Sequence, residues 1–247
     1  MNNFKIKKFI FWNFIAFALL GSWLIPQTRI FWDKLDSAFF FLVNGTLPWS
    51  VGWAKFWALA NKRIVDIISL LAVGSFFAHI YFKTPALKRK EFACQLVAFG
   101  TFLGFFILLY HAIDTLFLED FKRHSPSLVL TPAYRLSHMF PGIETKDASS
   151  VSFPGDHAFF LMAFTFFAFK ITSRKTDRTI ITALMILFSL PRLVSGAHWL
   201  TDNLIGAGFM VILALTWYYL TPLQKIFPGW IDKFFNFIKN LVWRKKG

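Results

Sequence analysis

One short stretch, PRLVSGAHWLTD at residues 191–202, carries three side chains that can do chemistry. His198 and Asp202 are four residues apart, a spacing that on a helix places both on one face. An aspartate that accepts from one imidazole nitrogen fixes the tautomer and leaves the other nitrogen free as a nucleophile or base. Arg192 precedes them, and its planar guanidinium can hold a phosphate through two hydrogen bonds. The stretch therefore predicts chemistry on a phosphate group.

A second stretch, SFPGDHA at residues 152–158, predicts the start of a helix beside an anion. Pro154 and Gly155 suit a first helical turn. The free N–H groups at a helix start favour negative charge. Asp156 and then His157 follow, and His157 is placed to protonate a leaving oxygen.

A third stretch, FKRHSPS at residues 121–127, supplies positive charge. Lys122 and Arg123 would complete a cage of cations around a phosphate, and Ser125 adds a hydroxyl group. A nucleophilic histidine, an acidic histidine and several cations amount to a phosphoryl-transfer site that needs no metal and no cofactor.

Each stretch alone also has an ordinary interpretation as a helix contact, a helix cap or a solvated loop. Metal binding is a further alternative, although the neighbouring cations would repel a metal ion. Its candidate ligands are His157, His198, Asp156 and Asp202.

The composition is that of an integral membrane protein. Of the 247 residues, 56% are hydrophobic and only 16% are charged, against about 25% charged in an average soluble domain. The net charge of +14 does not indicate nucleic-acid binding, because Lys and Arg fall in short clusters between apolar runs, where they orient helices and meet anionic phospholipids. Cys94 lies in an apolar run and is interpreted as a buried small hydrophobic residue.

The fold class predicted is an all-α integral membrane bundle of six transmembrane helices with interfacial amphipathic helices. A membrane-spanning helix needs about 20 mostly apolar residues, and six runs approach that pattern. These runs are 9–25, 64–82, 92–113, 157–171, 179–197 and 203–221.

Most basic clusters share one side of the membrane when both chain ends lie there, which makes that side cytoplasmic. The three motifs then face away from the cytoplasm. We expect a single domain, 1–247, with an interfacial segment at 30–60 and a loop at 114–156 on the non-cytoplasmic side, and an amphipathic cytoplasmic tail at 226–247.

The three motifs resemble the signatures of the type 2 phosphatidic acid phosphatase superfamily. Arg192, His198 and Asp202 match its R-x5-H-x3-D signature. PGDH at 154–157 resembles P-S-G-H, and KRHSP at 122–126 resembles a contracted K-x6-R-P. This sequence departs from the signatures where Gly155 and Asp156 replace Ser-Gly and where Pro191 replaces a serine.

This resemblance implies the roles of the individual side chains. His198 would attack phosphorus and form a phosphohistidine, His157 would act as general acid, and Asp202 would orient His198. The residues predicted to bind the substrate are Lys122, Arg123, Arg192, Ser125, Gly155 and Asp156.

Within the superfamily, the chain resembles the lipid A phosphotransferases of Gram-negative inner membranes. KRHSPSL, TKDASSVSFPGDH, PRLVSGAHWLTD, ALANKRIVDIISLLAVG at 58–74 and LTPL at 220–223 carry this resemblance. It implies transfer of a phosphate from undecaprenyl diphosphate to the 1-phosphate of lipid A at the periplasmic face.

Three other functions remain alternatives at this point. A hydrolase with the same chemistry would act as an undecaprenyl diphosphate phosphatase or a lipid A phosphatase. A transporter would use Arg192, His198 and Asp202 as a relay, and a structural membrane protein would need none of the motifs. Separately, Arg135, His138, Glu144 and Lys146 could contact the acceptor sugar, or the 128–150 segment could be only a solvated loop.

Overall fold

A computed structural model describes residues 5–117 and 123–244 as helices joined by loops, with no β-strand among them. Short 3₁₀ and π-helical segments, Leu47–Trp49 and Asp202–Ala207, supplement eleven α-helices in the described ranges. The α-helices are α1 Ile6–Leu24, α2 Pro26–Asn44, α3 Val51–Ala60, α4 Arg63–Lys83, α5 Ala86–Phe117, α6 Pro126–Val129, α7 Leu136–Met139, α8 Asp156–Ile171, α9 Lys175–Val194, α10 Gly208–Leu220 and α11 Leu223–Arg244.

Each of the six predicted apolar runs coincides with a helix, so the all-α prediction is confirmed. Four helical stretches among the described residues are long and apolar enough to cross a membrane, namely Ile6–Leu24, Arg63–Lys83, Ala86–Asp114 and Asp202–Leu220. The other two predicted runs correspond to α8 and α9. Neither helix is both long enough and apolar enough by this measure, and α8 has only 16 residues. Large apolar side chains such as Phe14, Leu70 and Leu108 are exposed on the four helices, as a lipid-facing surface requires.

The main core lies where α5, α8 and α10 meet, and aromatic side chains fill it. Phe99 is fully buried. It stacks on Phe167 with ring centroids 4.7 Å apart and meets Tyr218 edge-on at 5.1 Å. Such aromatic pairs add about 0.5–1.5 kcal/mol beyond the area that they bury. Phenylalanine side chains, which are abundant in this sequence, thus pack the helices that carry the second and third motifs against each other.

The segment predicted to be interfacial, 30–60, is built from α2 and α3, and neither is among the candidate spanning helices. One face of α2 is buried, and that face includes the polar residues Asp36 and Asn44. Asn44 donates to the backbone carbonyls of Tyr134 and Val194 at 3.1 and 2.9 Å. The segment therefore packs onto the motif end of the bundle.

The third motif departs from the sequence prediction in its local structure. His198 lies in a turn between α9 and the π-helical segment, so His198 and Asp202 do not share one face of a helix. The chain turns at Gly196, whose φ is +77°, a left-handed conformation that costs L-residues about 1–2 kcal/mol. An added Cβ would lie 2.7 Å from the ring of Phe40 and 3.0 Å from Cβ of Ser127.

We predict that Gly196→Ala destabilises the protein by about 2 kcal/mol or more, because strain in φ adds to overlap with buried neighbours. Thermal unfolding in detergent micelles measures the change. The matched control is Gly104→Ala on α5, where an added Cβ meets open space. Equal unfolding midpoints for the two variants would contradict the constraint assigned to Gly196.

Candidate active site

Backbone hydrogen bonds join the three motifs directly to one another. Ser152 N–H donates to the carbonyl of Arg123 at 2.8 Å, and Gly155 N–H donates to the carbonyl of Asp202 at 3.0 Å. Ser127 N–H donates to the carbonyl of Gly196 at 3.2 Å. The described parts of all three motifs therefore meet at one end of the bundle, between the ends of α2, α8 and α9.

The Nδ1 atom of His198 lies 2.7 Å from the backbone carbonyl of Ser152 and 3.4 Å from Oδ2 of Asp202. A carbonyl can only accept, so Nδ1 carries the proton and donates it to Ser152. This tautomer leaves the lone pair on Nε2, the atom that a nucleophilic histidine must use. Ser152 supplies the closest contact, a partner that the sequence analysis missed because a backbone carbonyl has no side-chain signature.

Asp202 is fully buried and has a wider role than orienting His198. Its Oδ2 atom accepts from the backbone N–H of Trp199 at 2.8 Å, and its Oδ1 atom lies 3.3 Å from the guanidinium of Arg123. Because both oxygens have donors, Asp202 holds the turn that carries His198 and links that turn to the first motif.

His157 lies in the first turn of α8, and His198, Arg192, Lys146 and Asp66 are all within electrostatic range of its ring. The two histidines that the sequence predicts to share the chemistry are therefore close enough for their charges to interact.

Gly155 brings α8 close to the third motif. An added Cβ would overlap the side-chain oxygen of Asn203 and lie 3.4 Å from the carbonyl of Asp202. The N–H group of Gly155 is already bonded to that carbonyl, so its contact in this structure is with the protein. A role for Gly155 in substrate binding stays a prediction.

Asp156 pairs with a residue that the sequence analysis did not consider. Its Oδ2 atom lies 3.0 Å from Nε2 of His111 on α5, and both side chains are about half exposed. Its Oδ1 atom has no hydrogen-bond partner. Across 5–117 and 123–244, no cluster of three His, Cys, Asp or Glu side chains is placed to hold a metal ion.

Carboxylates and aromatic rings surround the guanidinium group of Arg123. Its guanidinium contacts Asp36 at 2.7 Å, Asp33 at 3.3 Å and Asp202 at 3.3 Å. It also lies 4.2 Å from the ring centre of Trp199. Carboxylates thus surround that charge in this structure, and phosphate binding by Arg123 stays a prediction.

Asp36 on α2 is the centre of this network. Its Oδ1 and Oδ2 atoms accept from the backbone N–H and the hydroxyl of Thr201 at 2.8 and 2.6 Å, and its side chain is fully buried. Burial raises the pKa of Asp36, and the hydrogen bonds from Thr201 and the charge of Arg123 oppose that rise.

One guanidinium nitrogen of Arg192 contacts both oxygens of a carboxylate. Its NH2 group lies 3.0 and 2.9 Å from the two oxygens of Asp66 on α4, and its NH1 group donates to Oδ1 of Asn61 at 2.6 Å. Asp66 therefore pairs with Arg192 in this structure. Phosphate binding by Arg192 stays a prediction.

Two predicted substrate-binding residues remain. The side chain of Ser125 is fully buried and accepts from the backbone N–H of Ser149 at 2.9 Å, which holds the loop before the second motif. Lys122 lies outside the described residues. Substrate binding by Ser125 and Lys122 stays a prediction.

The sequence analysis missed three side chains that shape the site: Asp36, Asn61 and Asp66. Asp36 and Asp66 carry charge in helices of a mostly apolar chain, which is a recognisable signal of function in a membrane protein. The sequence does not show which arginine each would meet.

These motifs, meeting at one end of an apolar helical bundle, define a phosphoryl-transfer enzyme of a known class. A model of the PAP2 superfamily, the type 2 phosphatidic acid phosphatase superfamily, matches residues 96–225, which contain all three motifs. The chain belongs to the PAP2 superfamily, and the resemblance inferred from the motifs is confirmed.

One relative is named for a particular reaction. It is the lipid A 1-diphosphate synthase of Escherichia coli (strain K12), 31% identical over 229 residues that cover 93% of this chain and 94% of the relative. The similarity to lipid A phosphotransferases is therefore confirmed over nearly the whole chain. No solved structure matches this chain.

We predict that Asp36→Asn lowers the free energy of unfolding by about 3 kcal/mol, because it leaves the buried Arg123 short of a charged partner. It should also lower activity, since Thr201 and Asp202 lose their support. The matched control is Asp33→Asn on the same helix, a half-exposed partner of Arg123 whose loss should cost less than about 1 kcal/mol. Chemical unfolding in detergent compares the two, and equal losses would contradict the central place given to Asp36.

Proposed function

We propose that the protein transfers a phosphate group from undecaprenyl diphosphate to the 1-phosphate of lipid A. The products are lipid A 1-diphosphate and undecaprenyl phosphate. The observation that carries the proposal is the 2.7 Å contact between Nδ1 of His198 and the carbonyl oxygen of Ser152. A carbonyl requires a donor at Nδ1, which leaves Nε2 for the attack. The full-length similarity to a lipid A 1-diphosphate synthase supports the choice of acceptor.

The first half of the reaction forms a phosphohistidine. Nε2 of His198 bonds to the terminal phosphorus of undecaprenyl diphosphate as the bond from that phosphorus to the bridging oxygen breaks. His157 donates a proton to the departing oxygen of undecaprenyl phosphate. Asp202 and Ser152 hold the imidazole while it becomes positively charged.

The second half of the reaction reverses these bond changes with a different lipid. An oxygen of the lipid A 1-phosphate bonds to phosphorus, the N–P bond breaks, and the electron pair returns to Nε2. Any proton on the attacking oxygen passes to His157. The result is a phosphoanhydride on lipid A and a free enzyme ready for the next donor.

The site lies at one end of the helices, which suits lipid substrates that enter sideways from the membrane. We infer that six helices, α1, α4, α5, α8, α9 and the helix ending at Leu220, cross the bacterial inner membrane. Both chain ends would be cytoplasmic by the distribution of basic residues. The motifs then lie at headgroup depth on the periplasmic side.

The C-terminal helix α11 contacts the opposite end of the bundle from the motifs. It carries an exposed apolar group that includes Trp230, Phe234 and Phe237, and Asp232 pairs with Lys90 at the start of α5 at 2.6 Å. A helix with apolar and charged faces suits the plane of a bilayer. We place α11 against the phospholipids of the cytoplasmic leaflet.

The direct test of function follows a labelled phosphate. Purified protein in detergent is incubated with undecaprenyl diphosphate labelled on its terminal phosphate, with and without lipid A. Transfer predicts label on lipid A. Label found only as inorganic phosphate, whether or not lipid A is present, would instead establish a hydrolase acting through the same site.

We predict that His198→Ala abolishes both transfer and hydrolysis, because both pass through the phosphohistidine formed on Nε2 of His198. The matched control is His79→Ala, an exposed histidine on α4 near the opposite end of that helix from Asp66. The control should keep full activity. Substantial turnover by His198→Ala would remove His198 as the nucleophile.

A further inference from the structure

The arginines of the site are neutralised by carboxylates, which leaves a question about how a substrate with several phosphate charges is held. Arg123 lies against Asp36, Asp33 and Asp202, and Arg192 is clamped by Asp66. Each guanidinium charge is therefore shared with carboxylates. A substrate that brings two phosphate groups to the site gains from a further cation nearby.

Among the residues that the structure describes, Lys146 supplies such a cation. It lies in the loop before the second motif and its side chain is exposed. Its ammonium group makes no hydrogen bond or ion pair with the described residues. Its ammonium group is within electrostatic range of His157, Arg192 and Asp66. Within 5–117 and 123–244, Lys146 is the lysine whose charge acts on the ring of His157.

The backbone of Lys146 is fixed in place at the site. Its carbonyl accepts from Nδ2 of Asn61 at 2.7 Å, and Oδ1 of the same amide accepts from Arg192. The next residue, Asp147, accepts from the backbone N–H of Ser137 at 2.8 Å. The N–H of Lys146 also donates to the carbonyl of Asn61 at 3.5 Å, so the backbone of Lys146 is held against the residue that binds Arg192.

The environment of the ammonium group suits an anion. Crowding by the protein and the neighbouring charge of Arg192 both lower the pKa of Lys146, and the charges of Asp66 and Asp156 offset this in part. A phosphate bound to Lys146 would stabilise the protonated form, so a bound anion and the charge of Lys146 reinforce each other.

The proposed reaction, on which this inference rests, identifies the phosphate concerned. In each half-reaction one phosphate is transferred at His198, and a second phosphate departs or arrives on the side of His157. This second group belongs first to the donor lipid and then to the acceptor lipid. We propose that Lys146 binds this second phosphate and thereby favours a lipid phosphate over water as the acceptor.

The chemistry distinguishes Lys146 from the groups that form and break bonds. As an oxygen of the acceptor phosphate bonds to phosphorus and the bond to His198 breaks, Lys146 neutralises the non-attacking oxygens of the acceptor. A water molecule carries no phosphate and gains nothing from that charge. Loss of Lys146 should therefore change the partition of the phosphohistidine between lipid A and water.

The test measures that partition in Lys146→Met. Undecaprenyl diphosphate labelled on its terminal phosphate is supplied with lipid A, and the ratio of label on lipid A to label in inorganic phosphate is recorded. We expect the ratio to fall about tenfold or more, the size expected for a lost charge-assisted hydrogen bond. Lys146→Arg should restore most of it, because the positive charge is kept.

Controls separate this inference from the proposed function. Lys55→Met removes an exposed lysine from α3 and should leave the ratio unchanged. Thermal unfolding checks that the variants fold, and Lys146→Gln replaces the methionine variant if that one is destabilised. An unchanged ratio in the folded variants, even with a slower overall rate, would overturn the role of Lys146. Label appearing only as inorganic phosphate with the wild-type protein would instead overturn the proposed function.

Discussion

The buried contact between Asp36 and Arg123 is the interaction on which the rest of the site depends. Asp36 comes from a helix outside the three motifs, yet it holds the first motif through Arg123 and the third through Thr201. Arg123 reaches Asp202, and Asp202 in turn fixes the turn of His198. A buried charge lowers the free energy of unfolding unless it is paired. Removing one charged group of this network therefore leaves its partners buried and unpaired.

The same pairing sets the electrostatics of catalysis. Carboxylates compensate the two arginines and keep their guanidinium groups in fixed positions, so these groups need little rearrangement when a phosphate arrives. Fixed polar groups of this kind stabilise charge that develops in a transition state more effectively than mobile solvent does. The uncompensated charge of Lys146 then lies where charge on the substrate changes, close to His157.

The parts of this account that could be predicted from the sequence are those with a local signal. Apolar length predicted the helices, and His198, His157 and Asp202 were found because their types and spacing suit phosphoryl transfer. The partners Asp36 and Asp66 stand 87 and 126 residues from the arginines that they meet, and no local pattern encodes such a pairing. The spacing of His198 and Asp202 favoured one helix for both residues, whereas the turn at Gly196 places His198 outside a helix.

The central claim is that one histidine receives the phosphate from one lipid and passes it to another. A pulse and chase tests it most directly: the protein is mixed with undecaprenyl diphosphate labelled on its terminal phosphate, and lipid A is added a moment later to half of the sample. The account predicts acid-labile, alkali-stable label on His198 before the chase and its transfer to lipid A afterwards. Label that passes to lipid A without ever being found on the protein, with inversion of configuration at phosphorus, would contradict it.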